Sequence, residues 1–248
     1  MMKPVKNIFA VPLTLAMLMQ GGVASAENAS NPLAAVNSTD LRIQPTTSDD
    51  RDKVDVFIDG AYMITPKLKF KYELHYNFTD ITGTDQNGFE KLNLKPLYFP
   101  TTGKLGGDWG YKTTVGAELI LDLGETSKGT SAGADQIAPL FGAAFSNSAT
   151  GLTLIPLFQH FESFNGSTDI SQSSARLIAI KPFGGANWFK LDAKIPYDWE
   201  NDEWPVTAEI QVGHNYSESF ALYGDILLGL GADRPYDYGL GVGLRFIY

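Results

Sequence analysis

Three histidines, His75, His160 and His214, are the side chains of this chain best suited to acid–base or metal chemistry. A zinc site joins two or more histidines, or histidines and carboxylates, at one point in space. These three lie far apart in the sequence. The chain contains no cysteine, which excludes thiolate metal ligands, cysteine nucleophiles and disulfides. We therefore predict no metal ion and no cofactor.

One short run places a histidine, an acid and a serine close together. His160, Glu162 and Ser163 are the residue types of a serine hydrolase, in which the histidine takes the proton of the serine hydroxyl. In a β-strand, however, His160 and Glu162 share one face while Ser163 points to the other. The chain is therefore predicted not to be an enzyme, and a lipid-modifying hydrolase built on this trio is the alternative.

The segments that must position these residues show a hydrophobic period of two. From Leu68 to Phe78, apolar residues alternate strictly with polar ones, so a strand here would have one apolar and one polar face. The last residues, Tyr236 to Tyr248, alternate in the same way, with Ile247 as the exception. A helix would scatter these residues around its surface, so the pattern predicts β-strands.

Eight further candidate strands lie between these two segments, at 89–99, 108–123, 136–146, 152–163, 175–183, 188–197, 206–215 and 220–230. Tilted strands need about 9–11 residues to cross a membrane, whereas strands of soluble domains average about 5–6. A closed barrel pairs every strand edge, as hydrocarbon requires. The predicted fold is all-β, a transmembrane antiparallel up-and-down β-barrel of about ten strands. A soluble β-sandwich or soluble barrel is the alternative.

The region before Leu68 is harder to assign. Val54 to Ile64 is an eleventh candidate strand, either part of an N-terminal plug or half of an extra pair that would make twelve strands. Residues 27–53 are polar and are predicted to be a flexible lead-in, so the barrel is assigned to residues 54–248. Long polar connections, such as Gly124 to Asp135, alternate with short ones, such as Gly184 to Asn187, as they do in outer-membrane barrels.

The first residues predict export. Met1 to Ala26 has two lysines, an apolar run and the small residues Ala24-Ser25-Ala26, which is the pattern of a secretory signal peptide. The apolar run is too short to span a membrane. We therefore predict cleavage after residue 26 and location in the outer membrane of a Gram-negative cell.

The polar faces of the predicted strands carry charges of both signs that would point into the barrel. The residues predicted to line the lumen are Lys69, Lys71, Glu73, His75, Lys112, Glu118, Asp122, Lys190, Asp192, Lys194, Glu209, Asp225 and Arg245. Such an interior is either a filled, ion-paired core or a polar conduit. Ten strands enclose little more space than the eight that side chains can fill, so we expect no wide pore.

The charge balance narrows the range of partners. A net charge of −9 and an isoelectric point near 4.8 argue against nucleic acid, which needs a basic surface. The partners expected of such a barrel are outer-membrane lipid and lipopolysaccharide, the barrel assembly machinery and a small-molecule solute.

Two stretches of the sequence resemble known patterns, one an assembly signal and the other a protein family. Alternate apolar residues before a terminal aromatic resemble the C-terminal signal of outer-membrane assembly, and these are Leu240, Val242, Leu244, Phe246 and Tyr248. The C-terminal third is similar to the outer-membrane transporters named for the meta pathway of phenol degradation. That similarity rests on LIAIKPF (177–183), NWFKLDAKIPYDWE (187–200), VTAEIQVGHNY (206–216) and GADRPYDYGLGVGLRFIY (231–248).

The second resemblance implies a barrel that passes small molecules, apolar ones among them, and it carries no functional residues to transfer. Together with the predicted architecture it makes a narrow channel for passive passage of small molecules the leading expectation. A lipid-modifying hydrolase and a structural or surface-interaction barrel are the alternatives.

Overall fold

The computed structural model describes residues 29–49 and 51–248, and thirteen β-strands lie within these ranges. They are β1 (Ser38–Ser48), β2 (Arg51–Thr65), β3 (Leu68–Thr79), β4 (Gln86–Tyr98), β5 (Thr102–Gly106), β6 (Trp109–Asp122), β7 (Ala134–Asn147), β8 (Thr153–Gly166), β9 (Ser171–Phe183), β10 (Asn187–Asp198), β11 (Val206–Asn215), β12 (Phe220–Leu230) and β13 (Tyr238–Ile247). A 3-10 turn spans Thr126–Lys128. Within the described ranges, no helix is long and apolar enough to cross a membrane.

The strands close into a ring. β1 pairs with β2 on one side and with β13 on the other, and β4 pairs with β6. The short strand β5 pairs with β6 beyond the end of β4, so β4 and β5 share one position in the ring. The described residues therefore form a closed antiparallel barrel of twelve strands. The all-β prediction and the alternative of twelve strands are confirmed, and the count of ten is wrong.

The two strands that the preferred count omits are β1 and β2. Val54 to Ile64 lies in β2, and Ser38–Ser48, within the segment predicted to be flexible, is β1. Alternate polar residues of β1 face the interior and line the cavity, from Ser38 through Asp40 and Arg42 to Ser48, and Asp40 has only 2% of its surface exposed. Their polarity reflects the barrel interior rather than a linker, so the barrel begins at Ser38. The predicted signal peptide, residues 1–26, lies outside the described residues.

The two ends of the barrel differ in their connections. We call the end where β1 begins and β13 ends the terminal end. Its turns are short, as at 184–186 and 216–219. The opposite end, the loop end, carries the longer connections 80–85, 123–133, 199–205 and 231–237. Long connections thus gather at one end, as predicted, although 49–50 and 167–170 at the loop end are short.

The outer face of the barrel is apolar. On β3 the outward residues are the predicted apolar set, and Phe78 is 48% exposed, whereas inward Lys69 and Asn77 are 3% and 1% exposed. On β13 the exposed residues are again the apolar alternates. Successive side chains of a strand point to opposite sides of the barrel wall. The alternation of apolar and polar residues therefore gives the barrel an apolar exterior and a polar interior.

Candidate functional site

The barrel encloses a cavity of about 790 Å³. At the loop end its lining includes Ser48, Arg51, Thr79 and Tyr236. Towards the terminal end it stops at the segment 29–34. The candidate functional site is this cavity together with the segment that closes it.

Residues 29–34, which we call the inner segment, lie inside the barrel at the terminal end. The Lys69 ammonium donates hydrogen bonds to the carbonyls of Pro32 (3.2 Å) and Ala34 (2.8 Å), and Lys112 donates to that of Leu33 (3.2 Å). Leu33 is 1% exposed. It belongs to an apolar cluster with Leu97, Phe99, Leu140, Ala144, Ile155, Ile178 and Ile180. The terminal end of the interior is therefore packed rather than open.

A network of ion pairs joins β1 to β2, β11 and β12 inside the barrel. Arg42 lies 2.8 Å from Asp225, 3.3 Å from Glu209 and 3.9 Å from Asp59. Asp225 also accepts a hydrogen bond from Gln211 at 2.6 Å. Each carboxylate therefore has a cationic or amide partner, which is the condition under which buried charge is tolerated.

A second network lies on β9, β10 and β11. The Arg176 guanidinium holds Asp192 with two hydrogen bonds, of which that from Nε is 2.7 Å long. Lys190 lies 3.6 Å from Asp192 and 3.0 Å from Glu209, so Glu209 connects this network to Arg42. Two-point contacts between arginine and a carboxylate fix the geometry of both groups.

A third group of buried charges, Asp40 and Arg245, lies beside the inner segment. Asp40 accepts hydrogen bonds from Arg245 Nε (2.8 Å) and Nη2 (2.6 Å) and from the Tyr223 hydroxyl (2.6 Å). A methyl group at Gly243 would lie 2.2 Å from Cζ of Tyr223, so only glycine leaves room for this ring. Gly241 leaves space in the same way for the inward side chains of Gln44 and Asp225.

The thirteen residues predicted to line the lumen all face the interior. Eleven of them line the cavity, namely Lys69, Lys71, Glu73, His75, Glu118, Asp122, Lys190, Asp192, Lys194, Glu209 and Arg245. Lys112 bonds to the inner segment, and Asp225 bonds to Arg42. Asp40, Arg42, Asp59, Glu90 and Lys95 also line the cavity and are absent from the predicted set. Asp40 and Arg42 lie in the segment predicted to be a flexible lead-in, and Asp59 lies in the eleventh candidate strand.

The predicted hydrolase trio does not assemble. His160 and Glu162 point outward, with 3.4 Å between His160 Nε2 and Glu162 Oε2. The Ser163 hydroxyl instead accepts a hydrogen bond from the amide of Ile170 (3.0 Å). A different serine takes its place, because Ser173 Oγ of β9 lies 3.0 Å from His160 Nδ1. Pairing between β8 and β9 puts His160 opposite Ser173, which spacing along one strand cannot reveal.

The residues that resemble an assembly signal lie at the C-terminal end of the barrel wall. Leu240, Val242, Leu244, Phe246 and Tyr248 are exposed on the outer face, as the alternation predicts. The Tyr248 hydroxyl lies 3.1 Å from Thr39 Oγ1, which joins the last residue of the chain to β1. Recognition by the assembly machinery stays a prediction.

The connection 231–237 at the loop end folds against the mouth of the cavity, which Pro235 and Tyr236 line. The carboxylate of Asp237 accepts hydrogen bonds from Arg234 Nε (2.6 Å) and from the amide of Asp49 (3.0 Å). These bonds, that from Arg234 first, lower the pKa of Asp237 below its ordinary value. The charged carboxylate therefore joins this loop to the turn between β1 and β2.

Comparison with known proteins finds similarity in fold and none in sequence family. No family model matches the chain, and no curated protein does. The COG4313 outer membrane channel from Pseudomonas putida F1 superposes with a TM-score of 0.61 at 10% identity, over 91% of this chain and 100% of that one. The KdgM porin gives 0.54 at 8% identity, covering 85% and 99% of the two chains. Outer membrane phospholipase A from Escherichia coli gives 0.52 at 12%, covering 84% and 92%. At these identities the similarity establishes the barrel fold alone.

Proposed function

We propose that this protein is an outer-membrane channel for the passive passage of small polar molecules. The observation that carries the proposal is a charged cavity of about 790 Å³ inside a barrel with an apolar exterior, reaching the loop end. A barrel that served only as a scaffold could fill this space with side chains, as eight-stranded barrels do.

The membrane location is supported by the outer face. Exposed Ile, Leu, Val and Phe side chains would cost free energy in water and none in hydrocarbon. Near the loop end, Tyr197 contacts Trp199 and Trp204, with ring centroids 4.6 and 4.8 Å apart. Tyr and Trp concentrate at membrane–water interfaces, so this cluster would lie at the boundary of the lipid. A cleaved signal peptide would bring the chain there.

The chemistry of the lining favours polar solutes. The lining carries Arg42, Arg176 and Lys190 with their acidic partners. An apolar molecule that passed these groups would displace water from them and offer no hydrogen bonds in return. We therefore propose hydrated or charged solutes for the central route, in place of the apolar ones that the family resemblance suggests. The similarity in fold to the COG4313 channel, a member of the phenol-degradation transporter family, supports the channel and names no solute for this chain.

Passage requires movement of the inner segment. Its carbonyls are held by Lys69 and Lys112, and Leu33 is packed into the apolar cluster. The two ammonium groups are therefore among the polar contacts that hold the segment, together with the hydrogen bond from Arg245 to Ser30. We propose that the inner segment is the gate of the channel.

Single-channel recording in planar lipid bilayers tests the proposal. The double variant Lys69→Met, Lys112→Met should show larger or more frequent current steps than the unsubstituted protein. The control variant is Lys104→Met, which changes an exposed lysine on β5 and should leave the currents unchanged. If both folded proteins, verified by heat-modifiable migration in gels, carry no current, the channel is refuted and a structural barrel is favoured.

A second candidate function rests on the outward-facing Ser173, His160 and Glu162, which we propose as the machinery of a lipid hydrolase. The hydroxyl of Ser173 lies 3.0 Å from His160, whose other nitrogen faces Glu162 at 3.4 Å. His160 could accept the serine proton as Oγ attacks an ester carbonyl, while Glu162 stabilises the imidazolium. Trp199 donates to Ser173 Oγ at 3.0 Å, so the group lies at the proposed lipid boundary.

Release of fatty acid from phospholipid vesicles tests this second function. Ser173→Ala and His160→Gln should each lower the rate at least about 1,000-fold. Ser163→Ala is the matched control, because that serine faces the interior, and it should retain full activity. A folded, unsubstituted protein without measurable hydrolysis would rule this function out.

A further inference from the structure

Three side chains with metal-binding atoms face the cavity from neighbouring strands. They are Asp55 on β2, His75 on β3 and Glu90 on β4, and one donor atom of each lies within 4.8 Å of the other two. All three line the cavity in its loop-end half. The three side chains meet only because β2, β3 and β4 pair side by side.

A bulge between β3 and β4 turns Glu90 towards His75. The register of these strands shifts at His75, which alone opposes both Glu90 and Lys91. In a regular strand, two successive residues would point to opposite faces. Glu90 and Lys91 instead both line the cavity, because the bulge turns one of the two side chains to the same face as the other.

The imidazole of His75 is held in a fixed orientation. Its ring stacks on Phe57, with centroids 4.5 Å apart and planes 14° apart. Nδ1 lies 2.8 Å from Asp55 Oδ2, on the side of the proposed donors, and Nε2 faces Glu73 Oε2 at 3.7 Å. A metal-bound histidine commonly donates its other N–H to a carboxylate, and Glu73 is placed for that role.

Buried polar atoms around this group lack hydrogen-bond partners among the described residues. His75 is only 6% exposed, and its Nε2 has no hydrogen bond. Asp55 Oδ1 and Asn77 Oδ1 are unpartnered as well, and Asn77, 1% exposed, donates its amide to Glu90 at 2.8 Å. A buried polar group without a partner calls for an explanation, and a missing ion is a recognised one.

We propose that Asp55, His75 and Glu90 bind a divalent transition metal of the zinc type. One imidazole nitrogen and two carboxylate oxygens are donors that zinc accepts, with water completing the coordination. The ion would take the place between His75 Nδ1 and Asp55 that a proton now fills, and Nε2–H would donate to Glu73. Lys53 and Lys91, each 3.4 Å from a Glu90 oxygen, would swing away on their flexible, partly exposed chains.

Such an ion would join β2, β3 and β4 inside the wall of the cavity. It would add positive charge to the solute route at the loop-end side of the inner segment. The site would exist whether or not the barrel conducts, since its donors depend only on the pairing of these three strands.

Equilibrium dialysis of the folded, detergent-solubilised protein against ZnCl₂ tests the proposal. The unsubstituted protein should bind one Zn²⁺ per chain at this site. His75→Gln and Glu90→Gln should lower the affinity at least tenfold, and Glu73→Gln should lower it about 10–100-fold. His214→Gln is the control, because His214 bonds to Asn187 away from this group, and it should bind as the unsubstituted protein does.

A second measurement on the unsubstituted protein guards against variants that fail to fold. Co²⁺ in place of Zn²⁺ should produce visible absorption bands of a nitrogen–oxygen site, and added Zn²⁺ should remove them. The proposal is overturned if no stoichiometric binding occurs, or if binding is the same in folded His75→Gln as in the unsubstituted protein.

Discussion

The two halves of the barrel interior are built differently although the same strands run through both. The terminal half is filled by the inner segment and by an apolar cluster in which Ile155 and Ile178 are fully buried. The loop half holds the cavity and its charged lining. The terminal half should therefore contribute most of the packing stability, and the loop half should tolerate substitution and bind ligands.

The largest expected effect comes from breaking the buried pair at the edge of the terminal half. Asp40→Ala would leave Arg245 buried without its carboxylate, which should lower the free energy of unfolding by about 3–5 kcal/mol. Urea unfolding in lipid vesicles, followed by tryptophan fluorescence, measures the change. The double variant Asp40→Leu, Arg245→Met removes both charges and should recover most of the loss. A loss below about 1 kcal/mol in Asp40→Ala would show that this part of the interior is hydrated like the cavity.

The next effect compares packing in the two halves directly. Ile155→Ala in the apolar cluster should lower the free energy of unfolding by about 2–5 kcal/mol, because it leaves a hole among immobile neighbours. Gln172→Ala, on the lining of the cavity, should change it by less than about 0.5 kcal/mol. The same unfolding assay serves for both variants. Equal losses would contradict the division of the interior into a packed and an open half.

A smaller effect tests the space that glycine leaves for Tyr223. Gly243→Ala should cost about 1–3 kcal/mol, because its methyl group would overlap the ring. Gly224→Ala on the neighbouring strand is the control. A methyl group there would meet its nearest neighbour, the Gly241 carbonyl oxygen, at 3.7 Å, so little change is expected. If the two variants unfold alike, the ring has room to move and the interior is looser than the contacts indicate.

The smallest effect concerns pH at the loop end. The pKa of Asp237 is lowered in the folded protein, so its stabilisation of loop 231–237 is present above the ordinary carboxyl pKa of 3.8 and is lost as pH falls through the lowered value. Hydrogen exchange of the Asp49 amide, corrected for its intrinsic pH dependence, should show protection that disappears in this acidic range. Asp237→Asn should remove that pH dependence. Protection that is unchanged down to pH 2 would show that other contacts hold the loop.

Alternation along the chain was enough to predict the strand class, most strand positions and the inward direction of the charged side chains. This is because a period of two is a local property, set by the backbone of a strand and by the difference between its two surroundings. Ser38–Ser48 follows the same rule, with Asp40 and Arg42 inward and Leu41 and Ile43 exposed. Its composition is nevertheless that of a polar linker, because half of a barrel strand faces the polar interior.

Contacts between strands were decided only in the folded barrel. β1 closes the ring on β13, about two hundred residues away in the chain, and no local pattern specifies that pairing. The same holds for Ser173 opposite His160 and for the bulge that turns Glu90 towards His75. Each depends on register between strands, and register is set by how the whole barrel closes, so these side chains meet only once the barrel has formed.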